Sequence, residues 1–510
     1  MARLKESNKT GIVCGETALS YKQWHQLSEE LNNEGLRNQR GKIVGLFLPN
    51  SIAYAASYFA CLYADKVIAP FHTGSTMNEL LYTIKHCGIS ILITTESHFS
   101  QIETLLHAHA IPMSIIVVND NAEIQKKVAL YTSNVSLDIS IEDELNDVAV
   151  LLHTSGTTSR PKRVMLTNQG LLNNIESHCK SLNYDDKEVC LIQLPMMFGY
   201  CNTAQFLAHV YLGACIVINP NPFMVADFYR IIEKWGITNF TAVPSILIAL
   251  NHSNLLSYDI SSLKVICFGG NPIPKPRLLD IIRKFPTIAF VQTYGLTEAG
   301  PRVTTLPPSR YNEKIGSVGR AIPGVELRVV DTLGQPLEKG AVGEVIVKSN
   351  GIMKGYFRCA EETMAIMHGE WLHTGDMGYL SEDGYLYIVG RKKNIIISGG
   401  QNISPEEVEE VIATCPGIID AKVYGVYDDL LGEIVYADIV ADSDNNEILQ
   451  QLKLVCEENL SKYKIPRRFC LVDNICRTYN GKIKRSAKKV DECFDQTDDN
   501  DNKFGRERMV

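Results

Sequence analysis

The chain has 510 residues, 45 % of them hydrophobic and 21 % charged, with a formal net charge of −8. That length fits two or three domains, the apolar share excludes global disorder, and the charge excludes a nucleic-acid coat or a polybasic membrane binder. Its 14 cysteines show no CxxC pair and no zinc spacing. With the N-terminal "MARLKESNKTG", which lacks a signal-like apolar stretch, they point to reduced thiols in a cytoplasmic protein.

In chain order, "GKIVGLFLP" at 41–49 reads as a buried strand. "SIAYAASYFACLYA" at 51–64 is too short to span a bilayer and ends at Asp65, so it reads as a buried helix. A strand at 66–72, a helix at 77–88 and a strand at 89–95 follow. Short apolar strands between amphipathic helices predict parallel βαβ units with both sheet faces covered. The pattern returns in "GACIVIN", a helix at 223–235, "ITNFTAVP" and "LKVICFGG" at 263–270. Near 315 the texture changes. "GVELRVVDTLGQPLEKGAVGEVIVKSN" carries frequent turn signals between Val/Ile-rich runs, which predicts a small antiparallel or barrel-like β-unit. Hairpins and a helix beginning at Ser404–Pro405–Glu406–Glu407 come next, with a cap, a proline at the first helical position and acids in the first turn. The region to about 490 mixes strands and helices, and the polar tail 491–510 reads as disordered.

Four stretches offer chemistry. "HTSGTTSRPKRV" combines Thr154, Ser155, Gly156, Thr157 and Thr158 with Lys162. Hydroxyls, backbone N–H groups and positive charge are the parts of a phosphate cradle, although the GK[ST] ending of a Walker A loop is missing. "VQTYGLTEAG" offers Tyr294 as a flat face for a base, Thr297 as a hydroxyl and Glu298 as a hard oxygen ligand suited to Mg²⁺. "LHTGDMGYLSEDGYLYIVGRKKN" offers Asp376 for a ribose diol and Arg391 for the same sugar. "RTYNGKIKR" puts Lys482 beside a glycine near the end of the folded region. Taken singly, each also has a plain reading: a polar loop, a capped turn, a solvated hairpin or a solvated lysine.

In this order the four stretches resemble the adenylate-forming superfamily of acyl-CoA synthetases, peptide-synthetase adenylation domains and luciferases, over about 11–490. The chain is most like an acyl-CoA synthetase-type AMP-dependent ligase. The resemblance implies an α/β fold: a large N-terminal domain of βαβ-layered sheets plus a small β-barrel-like unit (1–390), and a small mobile α+β C-terminal domain (391–490) after a hinge at Lys393. It implies that Thr154–Val164 is the phosphate loop, Tyr294–Glu298 the adenine and Mg²⁺ motif, Asp376 the ribose aspartate and Gly481–Lys482 the C-terminal catalytic turn. Gly269, Gly270 and Asn271, in "FGGNPIP", are expected at the adenine pocket. Phe198, Tyr200, Val243, Phe268 and Gly295 are expected to line an apolar or aromatic acid pocket of modest size. Gly399 and Gly400 are expected beside a thiol-bearing arm.

The pattern has departures. Ser159 and Arg163 replace two glycines of the usual TSGTTGxPKG loop, which narrows the allowed backbone. His153 stands where Tyr or Phe is common, and Phe198 where His is frequent, placed to gate the pocket. No aspartate lies between 195 and 206 to hold an α-amino group, which argues against an amino-acid substrate. The implied activity is an ATP- and Mg²⁺-dependent carboxylic acid:thiol ligase that makes an acyl-AMP and passes the acyl group to a thiol, most simply CoA. One alternative is delivery to a separate carrier protein's phosphopantetheine or to an amine. Another is a degenerate binding protein on the same scaffold. The expected partners are a small carboxylic acid and the acceptor, with no nucleic acid and no membrane span.

Overall fold

The computed structural model describes residues 4–131, 143–154, 162–253, 258–271, 273–399, 401–428, 431–442, 446–477, 483 and 485. Two compact units divide between Lys392 and Lys393. The sequence-based boundary lay two residues earlier. Arg391 stays with the large unit because it ends the strand Leu386–Arg391, which is hydrogen-bonded to Trp371–Leu380.

The large unit holds three sheets. In the first, of eight strands, Ile43–Phe47 lies between the parallel strands Val67–Pro70 and Ile91–Thr95. Every residue of Ile43–Phe47 is buried, as a strand covered on both faces requires. Helix Ile52–Tyr63 starts at Ser51, whose hydroxyl accepts from the Tyr54 N–H, and ten of its 12 residues are buried. Val148–His153 and Arg163–Thr167 form an antiparallel hairpin at one side of this sheet. The phosphate-loop candidate connects them.

The second sheet has nine strands. Parallel strands Val189–Ile192, Asn239–Ala242, Val265–Phe268 and Ala289–Leu296 lead to the antiparallel strand Gly300–Leu306. The last two form a hairpin whose register shifts between Tyr294 and Leu296, and a short 3₁₀ turn, Thr297–Ala299, closes it. The third sheet is antiparallel, with Val325–Val330, Gly343–Ser349, Trp371–Leu380 and Leu386–Arg391. This is the β-rich region that the spaced turn signals predicted.

The small unit has a long hairpin, Ile418–Asp428 with Gly432–Ala441, joined by Ile396–Ser398 and by the parallel strand Arg468–Leu471. Helix Pro405–Ile412 begins as expected: the Ser404 side chain accepts from the Glu407 N–H, and Pro405 opens the first turn. Its core gathers Ile403, Val408, Ile412, Val423, Ala437 and Leu452. No helix among the described residues is long and apolar enough to cross a membrane. The tail 491–510 lies outside the described residues.

Candidate active site

The hairpin of the nine-stranded sheet positions the first group. Gly295 is required there: a Cβ would lie 2.4 Å from the Pro301 carbonyl carbon and oxygen. That close approach folds the turn so that Tyr294, Thr297 and Glu298 come from one tip. The Tyr294 hydroxyl donates to Asp376 Oδ2 at 2.6 Å. The residues are 82 positions apart, so the bond ties the hairpin to the antiparallel sheet and fixes the tyrosine ring plane. Burial, then the nearby Asp376 charge, push the Tyr294 phenol well above its ordinary range, so it stays a donor.

Asp376 is 3 % exposed. Its Oδ1 is paired with Arg391 Nε at 2.6 Å. Arg391 Nη1 also donates to the Thr374 carbonyl at 3.1 Å, and the Thr374 hydroxyl accepts from the Asp376 N–H at 3.0 Å. Each carboxylate oxygen can accept about two hydrogen bonds. Tyr294 and Arg391 thus hold the two Asp376 oxygens in a fixed orientation.

Glu298 forms the second group. Its Oε1 accepts from the Tyr356 hydroxyl at 2.7 Å, and its carbonyl accepts from the Met353 N–H at 2.8 Å. The Lys162 ammonium sits 4.7 Å from the centre of the same Tyr356 ring. One aromatic side chain therefore touches both the acidic and the basic candidate. Burial and Glu298 raise the Tyr356 phenol, which keeps it protonated. Among the described residues no three His, Cys, Asp or Glu converge as a metal cage. A single carboxylate whose Oε2 has no partner among the described residues fits Mg²⁺, which takes one or two carboxylates and completes its shell with phosphates and water. The Thr154 N–H donates to the Lys162 carbonyl at 3.2 Å, closing the loop at its base. Ser155, Gly156, Thr157, Thr158 and Ser159 lie outside the described residues. Thr297 packs beside Gly199, next to Phe198 and Tyr200.

Arg163 is a correction. It does not belong to the loop but opens the strand Arg163–Thr167, 2 % exposed. Its Nη1 donates to the Pro70 carbonyl at 2.8 Å and the Leu151 carbonyl at 3.2 Å. This arginine braces two strands rather than stiffening the phosphate cradle. His153, one residue before Thr154, is held down to about 3 by burial first, then by Arg163 and His72, so it is neutral.

Among the pocket candidates, Phe198 stacks on His72 with ring centres 6.0 Å apart. The Tyr200 hydroxyl lies 2.8 Å from Thr293 Oγ1. Gly269 packs against the same threonine, where a Cβ would lie 2.7 Å from Oγ1. Gly270 and Asn271 continue from it, and Val243 caps the helix Pro244–His252. Phe268 differs from expectation. Its side chain is buried in the apolar core with Phe240 and Phe290, and its carbonyl accepts from Thr293 at 2.9 Å.

In the small unit, Lys393 lies in the 3₁₀ turn Lys392–Asn394. Gly399 adopts φ +55° between the strands Ile396–Ser398 and Gln401–Ile403, and its N–H donates to the Leu431 carbonyl at 2.8 Å. Gly400, Gly481 and Lys482 lie outside the described residues. The chain on either side of Lys482 is anchored. Arg477 Nη2 meets Asp420 Oδ2 at 2.6 Å, and Arg485 grips both Glu409 oxygens at 2.6 and 2.8 Å. Such bidentate arginine–carboxylate pairs are strongly directional.

Sequence reasoning missed Tyr356, Arg302, and the Arg485–Glu409 pair. Arg302 carried a usable signal, since a charged residue inside the otherwise apolar and hydroxylic strand "GPRVTTL" is unusual.

Residues 2–357 match the AMP-binding enzyme family, and residues 407–482 match the AMP-binding enzyme C-terminal domain. The chain is 30 % identical over 487 residues to a 2-succinylbenzoate–CoA ligase of Bacillus cereus, covering 94 % of each. It is 32 % identical over 486 residues to a long-chain-fatty-acid–CoA ligase of Bacillus subtilis, covering 88 % of this chain and 85 % of the relative. Among solved structures it resembles the O-succinylbenzoate coenzyme A synthetase of Bacillus subtilis in complex with ATP and magnesium ion. The TM-score is 0.81 at 27 % identity, with 95 % of this chain and 98 % of the other covered. With an α/β fold of that kind and a family match over most of its length, the chain belongs to the AMP-binding, adenylate-forming enzyme family of AMP-forming acid–CoA ligases.

Proposed function

We propose that the protein is an ATP-dependent carboxylic acid:thiol ligase, with CoA as the simplest acceptor. The observation that carries this reading is the pairing of two preorganised groups. Tyr294, Asp376 and Arg391 suit a nucleoside, and Glu298, Tyr356 and Lys162 suit a metal–polyphosphate.

In the first half-reaction, a carboxylate oxygen attacks the α-phosphorus of ATP, the bond to the bridging oxygen breaks, and pyrophosphate leaves with its electrons. The protein positions the reactants and neutralises charge. Thr154, Ser155, Gly156, Thr157, Thr158 and Lys162 hold the β- and γ-phosphates, and Thr297 touches the α-phosphate. Tyr294 stacks on the adenine beside Gly269, Gly270 and Asn271, while Asp376 and Arg391 hold the ribose. Glu298 supplies a ligand for Mg²⁺, which when bound offsets phosphate charge. Lys482 bridges the attacking carboxylate and the nucleotide, stabilising the charge that develops. Phe198, Tyr200, Val243 and Gly295 surround the acid.

In the second half-reaction a thiol, losing its proton, attacks the acyl carbon and AMP leaves. Rotation about Lys393 withdraws Lys482 and brings Gly399 and Gly400 beside the thiol-bearing arm. Two relatives named CoA ligases favour CoA over a carrier-protein phosphopantetheine or an amine. A degenerate binding scaffold is disfavoured, because Arg163, one of the two departures behind that idea, lies in a strand rather than in the loop.

The test is ATP-dependent pyrophosphate release across fatty, aryl and amino acids without thiol, using Lys482→Ala as control. Release with an acid class, lost in the variant, is expected, and CoA and carrier proteins are then compared as acceptors. Lys482→Ala should suppress adenylate formation yet spare thiol transfer from a supplied adenylate, and Lys393→Pro should do the reverse. Equal loss of both half-reactions in both variants would refute the division of labour.

A further inference from the structure

Arg302, on the strand Gly300–Leu306, is 0 % exposed. A buried guanidinium ordinarily meets a carboxylate, since an isolated interior charge is costly and arginine does not escape by losing its proton. Arg302 has no ion pair among the described residues. Its partners are neutral. Nε donates to His178 Nδ1 at 3.0 Å. Burial, then Arg302 itself, hold His178 well below its ordinary range. The neutral ring passes its other N–H to the Ala204 carbonyl at 3.0 Å.

Arg302 Nη1 donates to the Tyr200 hydroxyl at 3.3 Å. Because the Thr293 hydroxyl donates to the Phe268 carbonyl at 2.9 Å, it must accept from Tyr200. The guanidinium thus heads a one-way chain of donors, Arg302 to Tyr200 to Thr293 to a carbonyl, with no anion anywhere along it. Nη2 is buried without a hydrogen-bond partner among the described residues. Two-sided support from His178 and Tyr200 holds the guanidinium rigid, and Nη2 together with the second Nη1 hydrogen matches a carboxylate in two-point contact.

Resting on the acid-activating reading above, we infer that Arg302 is a specificity-determining residue, and that the acid selected here carries a second carboxylate at the end remote from the one activated. On that reading Tyr200 is one of the residues around the acid, so the second carboxylate docks on Arg302 beside it. The activated one faces Thr297 and the nucleotide. The substrate class is dicarboxylic acids, and this positive charge disfavours purely apolar acids of the same length. A site with a buried charge left unpaired discriminates strongly against the ligand that fails to pair it.

The experiment is pyrophosphate release by the full-length enzyme with matched pairs: succinate, adipate and suberate against butyrate, hexanoate and octanoate, and aryl acids with and without a second carboxyl. The best dicarboxylic acid should exceed its monocarboxylic and monomethyl-ester counterparts by about 30-fold or more in kcat/KM, carried mainly by KM. In Arg302→Gln, with ATP binding as the check on folding, that ratio should collapse toward one, and Arg302→Lys should restore part of it. Equal or better turnover of monocarboxylic acids by the unaltered enzyme overturns the inference while leaving acid activation intact. That result needs no variant to fold. Release with no acid at all overturns the acid-activating reading, and this inference with it. A preference for hydroxyl- or amide-ended acids over carboxylate-ended ones also overturns it.

Discussion

Tyr356→Phe isolates one bond. The phenol donates to Glu298 Oε1 at 2.7 Å while its ring lies 4.7 Å from the Lys162 ammonium. Phenylalanine fills the same space and keeps the ring, so only the aim of the carboxylate changes. A hydrogen bond to a charged group contributes about 1.5–3 kcal/mol when buried. Glu298 is partly exposed, which brings the expected effect down to about 1–2 kcal/mol, or about 5–30-fold. The assay is initial pyrophosphate release titrated with Mg²⁺ at saturating acid. Half-saturation should move to higher Mg²⁺ and kcat/KM for ATP should fall within that range. Tyr356→Leu, which also removes the ring beside Lys162, should lose about another 2–5-fold for ATP, from a cation–π contact of about 0.5–1 kcal/mol. Unchanged Mg²⁺ dependence in Tyr356→Phe would refute the claim that this hydroxyl aims Glu298.

Asp376→Asn keeps an acceptor for Tyr294 but removes the counter-charge of Arg391, whose side chain is 37 % exposed. ATP affinity by calorimetry should weaken by about 5–30-fold, after discounting the pair for solvent screening, and unaltered affinity would count against the ribose assignment. Arg163→Gly restores the usual family residue but deletes a buried brace on the Pro70 and Leu151 carbonyls. It should destabilise the protein by about 2–5 kcal/mol without tightening ATP binding. Tighter binding at an unchanged unfolding midpoint would return Arg163 to the loop. His153 titrates near 3 when folded and near 6.5 when unfolded. Its folded value is depressed, so its contribution is complete above about pH 6.5 and is lost as pH falls toward about 3. From pH 6.5 to pH 5 that loss is about 2 kcal/mol. His153→Phe should show a shallower fall in unfolding midpoint over this interval, and an identical fall would refute the assignment.

The layered sheets were legible because burial on both faces leaves a continuous apolar run, as in Ile43–Phe47. Caps were legible because they are local, as at Ser404. Tyr294, Glu298, Asp376 and Arg391 could be picked out by chemistry, yet nothing local revealed that Tyr294 and Asp376 meet. That contact spans 82 positions and depends on how two sheets are apposed. Tyr356 was invisible for the same reason, since it reaches Glu298 from 58 positions away and "KGYFR" carries no periodic or turn signal of its own. Phe268 misled because apolar character alone does not tell a pocket wall from a core, and its strand buries that side chain. Arg163 misled because a basic residue beside a phosphate loop looks like part of it. Only the pairing of Val148–His153 with Arg163–Thr167 shows that the strand has already begun.

Ala289–Leu296 and Gly300–Leu306 form one continuous hairpin. Within 18 residues of chain it presents Tyr294, Thr297, Glu298 and Arg302, and the backbone contact at Gly295 locks its two arms together. On the proposed roles, nucleotide preference and acid preference are therefore written into one covalent piece. Altering the register of this hairpin shifts both at once, and neither can be retuned by sliding it. A chimera that exchanges this segment whole between relatives should carry acid choice with it. One that cuts between its arms should lose both activities together.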